Sequence, residues 1–176
     1  MDLSNYVRVY SDVLSQEYCN ELIDFFDSGT PIFRDSELRP KFHELGFENH
    51  MMEPLLQKLR PSFEAYLETT NSDLWFPQNF CWEFARVKMY RKGTDDQFAP
   101  HVDVGDRESS KRCLAFLIYL NNVAEGGETC FVTMGKKVVP KMGTMIMFPP
   151  LWTFPHQGKP TISNNKYILS TYINYV

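Results

Sequence analysis

Residues 113–121, CLAFLIYLN, form the stretch on which the fold turns. The run is almost unbroken in apolar side chains, short, and rich in branched and aromatic residues. A strand buried on both faces requires that composition, whereas a strand with one wet face would alternate. Similar short apolar segments follow it: ETCFVTM, KKVVP, TMIMFPP and KYILSTYINYV. EGGE, MGKK and KMGT separate them, and such Gly-bearing clusters end strands and reverse the chain. Just upstream, FCWEFARVKMYR alternates in part. Many short strands with Gly and Pro turns predict a β-sandwich or jelly roll over residues 80–176.

The first 79 residues have a different texture. VRVY reads as a short strand, and Ser15 as the cap of a helix over SQEYCNELIDFFDSG. Tyr18, Leu22, Phe25 and Phe26 recur at helical spacing there, and Gly29 is a natural stop. A second helical stretch, HMMEPLLQKLRPSFEAYLETTN, contains two prolines. Pro54 suits a first turn, and Pro61 is expected to bend or break the helix. Between the helices, PIFRDSELRPKFHELGFE is mixed and polar and reads as an ordered loop. The expectation is one domain over 1–176, with a mostly helical flank (1–79) and a β core (80–176).

Composition excludes several classes. The 176 residues include 14 Phe, 9 Tyr and 3 Trp, and 23% are charged, as in a folded globular chain. No apolar run reaches the roughly 20 residues that span a bilayer. MDLSNYVRVY lacks the basic start and apolar stretch of a secretory leader, which predicts a soluble, cytoplasmic protein with no membrane partner and is consistent with a bacterial or viral source. Lys and Arg number 18 against 22 Asp and Glu, a net charge of −4, which argues against a nucleic-acid partner. Cys19, Cys81, Cys113 and Cys130 form no CxxC pair, so structural zinc is not expected, and Cys113 and Cys130 read as small core residues.

Only four histidines are available to build a metal site: His43, His50, His101 and His156. In FAPHVDVGD (98–106), Pro100 favours extended backbone, so His101 and Asp103 can offer a nitrogen and an oxygen on one face. Alone, such a pair is ordinarily a hydrogen-bonded couple in a loop. His43 and His50 lie in the polar first half, where a solvated or capping role is the ordinary reading. His156 follows a strongly apolar strand, and a jelly roll can return that strand end beside His101. Two imidazoles and one carboxylate leave half of an octahedron open, which suits non-haem Fe(II). Zinc is the competing metal, with Glu108 or Glu128 as the base it would need.

If the open positions take 2-oxoglutarate, its far carboxylate needs a fixed cation. No arginine follows Arg112, which leaves Lys159 or Lys166 downstream of His156. Lys159 sits in a turn and reads as solvated. Lys166 opens a core strand whose alternation places Lys166, Ile168, Ser170 and Tyr172 on one face. A lysine there is costly without an anion. Snorkelling at a strand edge is the alternative.

Taken together, PHVD, YLNNVAEGGET, GTMIMFPP and HQGKPTISNNKYILSTYI resemble the Fe(II)- and 2-oxoglutarate-dependent dioxygenases of the prolyl 4-hydroxylase-like branch. The resemblance is strongest from Tyr90 to Tyr175 and extends weakly to VYSDVLSQEYCNELIDFF. It implies a mainly β, double-stranded β-helix (cupin-like jelly roll) with flanking helices. It implies His101, Asp103 and His156 as iron ligands and Lys166 as the 2-oxoglutarate anchor. Tyr90, Tyr119 and Thr129 match cofactor-lining positions, and Arg112 matches a substrate-handling arginine. Tyr172 and Asn174 stand where the family typically has tryptophan and histidine, and Tyr172 is a candidate substrate residue beside Arg112. The implied reaction is hydroxylation of peptidyl proline with release of succinate and CO2, with ascorbate as a candidate reductant. The same chemistry on a free amino acid or other small molecule, and a non-catalytic cupin-like binding module, are the alternatives. Segments 34–48, 91–99 and 104–111 are candidate lids over the site.

Overall fold

A computed structural model describes residues 2–36 and 39–176. In chain order the elements are β1 (Arg8–Tyr10), α1 (Gln16–Ser28), β2 (Ile32–Ser36), β3 (Arg39–Gly46), α2 (Asn49–Thr69), β4 (Phe80–Trp82), β5 (Arg86–Tyr90) and β6 (Phe98–His101). They continue with β7 (Arg112–Tyr119), β8 (Thr129–Phe131), β9 (Lys136–Val138), β10 (Met145–Phe148), β11 (His156–Gly158) and β12 (Lys166–Tyr175). Two antiparallel sheets result. The larger has the order β1-β10-β7-β12-β5-β3-β2, with β4 also paired to β12, and the smaller runs β6-β11-β8-β9. This is the expected double-stranded β-helix, closed by helices on one side.

Residues 113–121 explain the layering. Within β7, Leu114, Phe116 and Ile118 belong to a core shared with the helices, whereas Ala115 and Tyr119 belong to a second core between the sheets. Both faces are dry, as the unbroken apolar run requires. On α1, Cys19, Leu22 and Phe26 face the first core, and on α2 so do Leu55, Leu59, Phe63 and Tyr66. Phe63 is the aromatic hub, with Phe76, Phe80, Trp82 and Phe116 all within 6.1 Å between ring centroids. Ser15 caps α1 by accepting from the Tyr18 N–H at 3.2 Å, and Gly29 ends it.

Three expectations for the first half change. The polar stretch read as a loop is the β2–β3 hairpin, with β3 paired to β5 from His43↔Met89 to Gly46↔Arg86. Its charges sit on an edge hairpin whose face is wet, which hides the strand period; Arg34 and Glu44 pair across it at 2.7 Å. With β1, it brings three strands from the first 79 residues into the large sheet. The prolines do not divide α2. Asn49 opens that helix, so Pro54 falls in the second turn and Pro61 in the interior. Both prolines are exposed, as are His50 and Gln57, whose carbonyls lose an intrahelical donor and reach water instead. Burial of the opposite face holds the helix continuous.

No helix among the described residues is long and apolar enough to cross a membrane. All four cysteines are free thiols. Cys113 packs against the outer core, and burial pushes its thiol up to about 11.

Candidate active site

Two strands of the small sheet carry the histidines. β11 pairs antiparallel with β6 so that His156 lies directly opposite His101. Regular strand ends at His101, and Asp103 lies in the bend that follows. The three side chains nevertheless meet, with one ligand atom from each within 4.8 Å of the others. Asp103 Oδ1 lies 3.4 Å from His101 Nε2, and Oδ2 lies 3.7 Å from His156 Nε2. The strand return predicted for His156 is the one observed.

Backbone carbonyls orient both rings. His101 Nδ1 is 2.8 Å from the Ala99 carbonyl and His156 Nδ1 is 3.1 Å from that of Phe154. Each Nδ1 therefore carries the proton and donates it, leaving the Nε2 lone pairs facing Asp103. His101 is stacked on Phe98 at 3.4 Å, and Phe131 and Phe148 wall His156. His101 Nε2 is buried with no hydrogen-bond partner. An orphaned acceptor beside a second imidazole and a carboxylate is the donor set of a divalent metal centre. Burial raises the Asp103 carboxyl, but His156, His101 and Lys88 together outweigh it and hold the group well below the usual range. Burial lowers His156, with His101 adding to the effect and Asp103 opposing it. An ionised carboxylate and a neutral imidazole are the states a metal needs.

Behind this centre the interior narrows to a cavity lined by Tyr90, Phe98, Thr129, Gly158, Lys166 and Ser170. Lys166 is 1% exposed. Its ammonium donates to the Gly127 carbonyl at 3.0 Å and lies 4.2 Å above the Tyr90 ring. No carboxylate of the described residues forms an ion pair with it. Burial pushes it down to about 7, with Glu128 only partly opposing. Gly127, at φ +73°, takes a left-handed turn that presents its carbonyl to the lysine. At Gly158 a Cβ would sit 3.5 Å from Nζ, so the missing side chain leaves room for an anion. Thr129 lines the cavity. Tyr119 does not; its hydroxyl donates to Thr129 Oγ1 at 2.7 Å and lies 3.2 Å from the Val138 carbonyl, holding Thr129 from beneath.

Toward solvent, the same centre opens into a cleft of about 730 Å³. Arg112 is tied down at its edge. Its guanidinium grips Glu83 at 2.7 and 2.8 Å, donates to the Asp103 carbonyl at 3.2 Å and lies 4.0 Å above Tyr172. Burial alone would raise Glu83, but Arg112 and Arg86 hold it below its usual value. Tyr172 lines both the inner cavity and the cleft. Asn174 is buried farther along β12, its Oδ1 unpartnered.

The other candidates lie elsewhere. Lys159 is exposed, Glu128 pairs with Lys137 at 2.6 Å, and Glu108 sits on the cleft rim. His50 is exposed near Glu48, whereas His43 packs on Phe33 at 4.6 Å in the hairpin. Of the candidate lids, 34–48 is largely the β2–β3 hairpin, part of which lines the cleft with 104–111. Segment 91–99 is pinned by the buried Asp96, which accepts from Arg91 Nε and Nη2 at 2.9 Å. Sequence reasoning missed Glu83, Phe98 and Lys88. Lys88 was accessible by alternation from Tyr90, since Arg86, Lys88 and Tyr90 share one face of β5.

Comparison with known proteins agrees with this geometry. A family model described as the 2OG-Fe(II) oxygenase superfamily matches residues 85–174. Prolyl 4-hydroxylase subunit alpha-1 of Gallus gallus is 26% identical over 104 residues, which cover 50% of this chain and 20% of that protein. The matched region thus spans about a fifth of that relative. A viral collagen prolyl hydroxylase from Paramecium bursaria Chlorella virus-1, solved with 2OG, superposes with a TM-score of 0.77 at 25% identity, covering 97% of each chain. A Pseudomonas putida prolyl-4-hydroxylase shares the fold with a TM-score of 0.74 at 16% identity, covering 99% of this chain and 96% of its own. A Trichoplax adhaerens prolyl hydroxylase, in complex with a hypoxia inducible factor peptide fragment, does so at 0.76 and 16%, covering 97% and 84%.

Proposed function

The chain belongs to the 2OG-Fe(II) oxygenase superfamily, and from that premise we propose that it is an Fe(II)- and 2-oxoglutarate-dependent dioxygenase acting on proline in a peptide. The observation that carries the reading is a pair of buried groups that the protein leaves incompletely satisfied. His101 Nε2 is an acceptor without a donor, and Lys166 is a cation without an anion. A metal satisfies the first, and a dicarboxylate bound to that metal satisfies the second.

His101, Asp103 and His156 would hold Fe(II), and Lys166 the far carboxylate of 2-oxoglutarate. Tyr90 and Thr129 line its path, and Tyr119 steadies Thr129. Bound there, the pair supplies oxidative decarboxylation to succinate and CO2, coupled to insertion of one oxygen atom of O2 into a substrate C–H bond. The protein supplies orientation and exclusion of water. The Ala99 and Phe154 carbonyls fix both imidazoles, and Arg112 holds Asp103 through its carbonyl. Phe98, Phe131 and Phe148 keep the ligand side chains dry. Ascorbate would serve as an external reductant that restores Fe(II). The cleft over Asp103 and Tyr172 is the surface across which a peptide would lie, and the peptide-bound relative from Trichoplax supports that use.

The test is mass spectrometry of proline-containing peptides incubated with the protein, Fe(II), 2-oxoglutarate and O2. A one-oxygen gain on proline, matched by succinate and lost in His156→Ala, is expected. Iron-independent turnover, or turnover unchanged in His101→Ala and His156→Ala, would refute the assignment.

A further inference from the structure

Among the described residues, one buried cation in the interior remains after Lys166 has been assigned. Lys88 is 7% exposed at the middle of β5 and lines both the inner cavity and the cleft. With Asp103, His101, Phe98 and Tyr172 it marks the passage between them. Its described contacts are ring faces, Phe42 at 5.1 Å and Phe98 at 5.8 Å. Aromatic faces favour a cation but neutralise none of its charge.

Among the described residues, each acid near Lys88 has another partner. Glu44 sits opposite it on β3 but pairs with Arg34 at 2.7 Å. Glu83 is shared by Arg86 and Arg112. Asp103 faces the two imidazoles. Burial pushes Lys88 down to about 8, so the ammonium persists near neutral pH.

The loaded site sharpens the point, and here the inference rests on the reading above. A divalent metal and the Lys166 ammonium balance the Asp103 carboxylate and a dianionic co-substrate. Lys88 then remains as an uncompensated buried charge at the place where the prime substrate must enter. A buried charge without a partner is expensive, and a substrate anion relieves that cost only when it is bound.

We propose that Lys88 is a substrate-binding residue that selects prime substrates bearing a carboxylate close to the carbon that is hydroxylated. Two sources share this chemistry: an acidic side chain beside proline in a peptide, and the α-carboxylate of a free amino acid or C-terminal residue.

The experiment uses two pairs of compounds matched in all but charge. One is a proline peptide with Glu or Gln next to proline, and the other is free L-proline or its amide. Turnover is measured with the Fe(II)- and 2-oxoglutarate-loaded enzyme, and binding by calorimetry with Mn(II) in place of iron. The wild type should prefer the carboxylate member of one pair by about 10–100-fold, the scale of a charge-assisted hydrogen bond. The pair that discriminates identifies the source. Lys88→Met should bring the ratio to near unity, and Lys88→Arg should keep most of it. A lysine that merely packs against Phe42 and Phe98 predicts equal ratios in all three proteins. No preference in the wild type, or one that survives Lys88→Met, overturns the proposal. Lys88-dependent binding without hydroxylation would refute the reaction and leave this assignment standing. Iron-dependent succinate formation without a charge preference would do the reverse.

Discussion

The two faces of the large sheet solve opposite problems. The outer face, against α1 and α2, buries Leu22, Phe26, Leu59, Phe63 and Leu169. It draws its stability from apolar area removed from water, with Arg8 at its margin donating to the Thr69 carbonyl at the end of α2 at 3.1 Å. The inner face also buries aromatics, but it admits Lys88, Lys166 and Asn174 among them, with His156 of β11 opposite on the small sheet. Several of these polar groups have no adequate partner within the protein. A single strand carries both roles: Leu169 and Ile173 of β12 face the helices, and Lys166, Ile168 and Tyr172 face the interior. The outer side of the sheet is therefore mainly apolar and built for stability, and the inner side concentrates the buried charges that can meet ligands.

That division can be broken from either side. Asp103→Ala should reduce iron-dependent succinate formation the most. Losing a partner that merely supports a metal ligand costs up to about 100-fold, and losing a ligand should cost more. The protein should still fold, because the outer core is untouched; circular dichroism alongside the activity assay checks both. Leu59→Ala, at a fully buried outer position, should do the reverse. A loss of about 2–5 kcal/mol in denaturant unfolding is expected, with kcat/KM of the folded fraction preserved. If Leu59→Ala removed activity without lowering stability, the two faces would not be separable.

Lys166→Met tests the finer claim that inner charges cost stability. It should raise the KM for 2-oxoglutarate by about 10–100-fold through loss of a charge-assisted contact, while stability of the ligand-free protein holds or rises. The pH dependence has a definite sign. Lys166 is depressed to about 7 in the free protein, against an ordinary value near 10.5. Above pH 7 the unfolded chain thus binds more protons than the folded one at this site. Its contribution to stability therefore grows from about pH 7 toward 10. Co-substrate binding needs the ammonium, so the KM should rise over the same range. A flat profile would contradict the assignment of Lys166 as the anchor.

Legibility in the sequence followed the same division. The strand 113–121 was readable because burial on both faces leaves a continuous apolar run. Four histidines narrowed the metal candidates, and the absence of arginine after Arg112 narrowed the anchor to Lys159 or Lys166, but the family resemblance singled out His101, Asp103, His156 and Lys166. The β2–β3 hairpin was not readable, since its charges pair with one another on an exposed edge and erase the period. Pro54 and Pro61 misled because the energy that overrides them comes from the opposite, buried face of α2, which local rules do not weigh. Lys88 was missed because an isolated lysine in a strand is ordinarily solvated, and Glu83 because it lies in the link between β4 and β5, outside any strand pattern. Alternation with Tyr90 offered a signal for Lys88, whereas only the folded chain brings Glu83 to Arg86 and Arg112.

The central claim is that the unpartnered His101 Nε2 and the Lys166 Nζ that lacks a carboxylate face the two ends of one ligand assembly. A crystal structure grown without oxygen, with Mn(II) and 2-oxoglutarate, tests it directly. The account predicts metal bound to His101 Nε2, His156 Nε2 and the Asp103 carboxylate, with the far carboxylate of 2-oxoglutarate on Lys166 Nζ. Metal bound elsewhere, or 2-oxoglutarate held without Lys166, would contradict it.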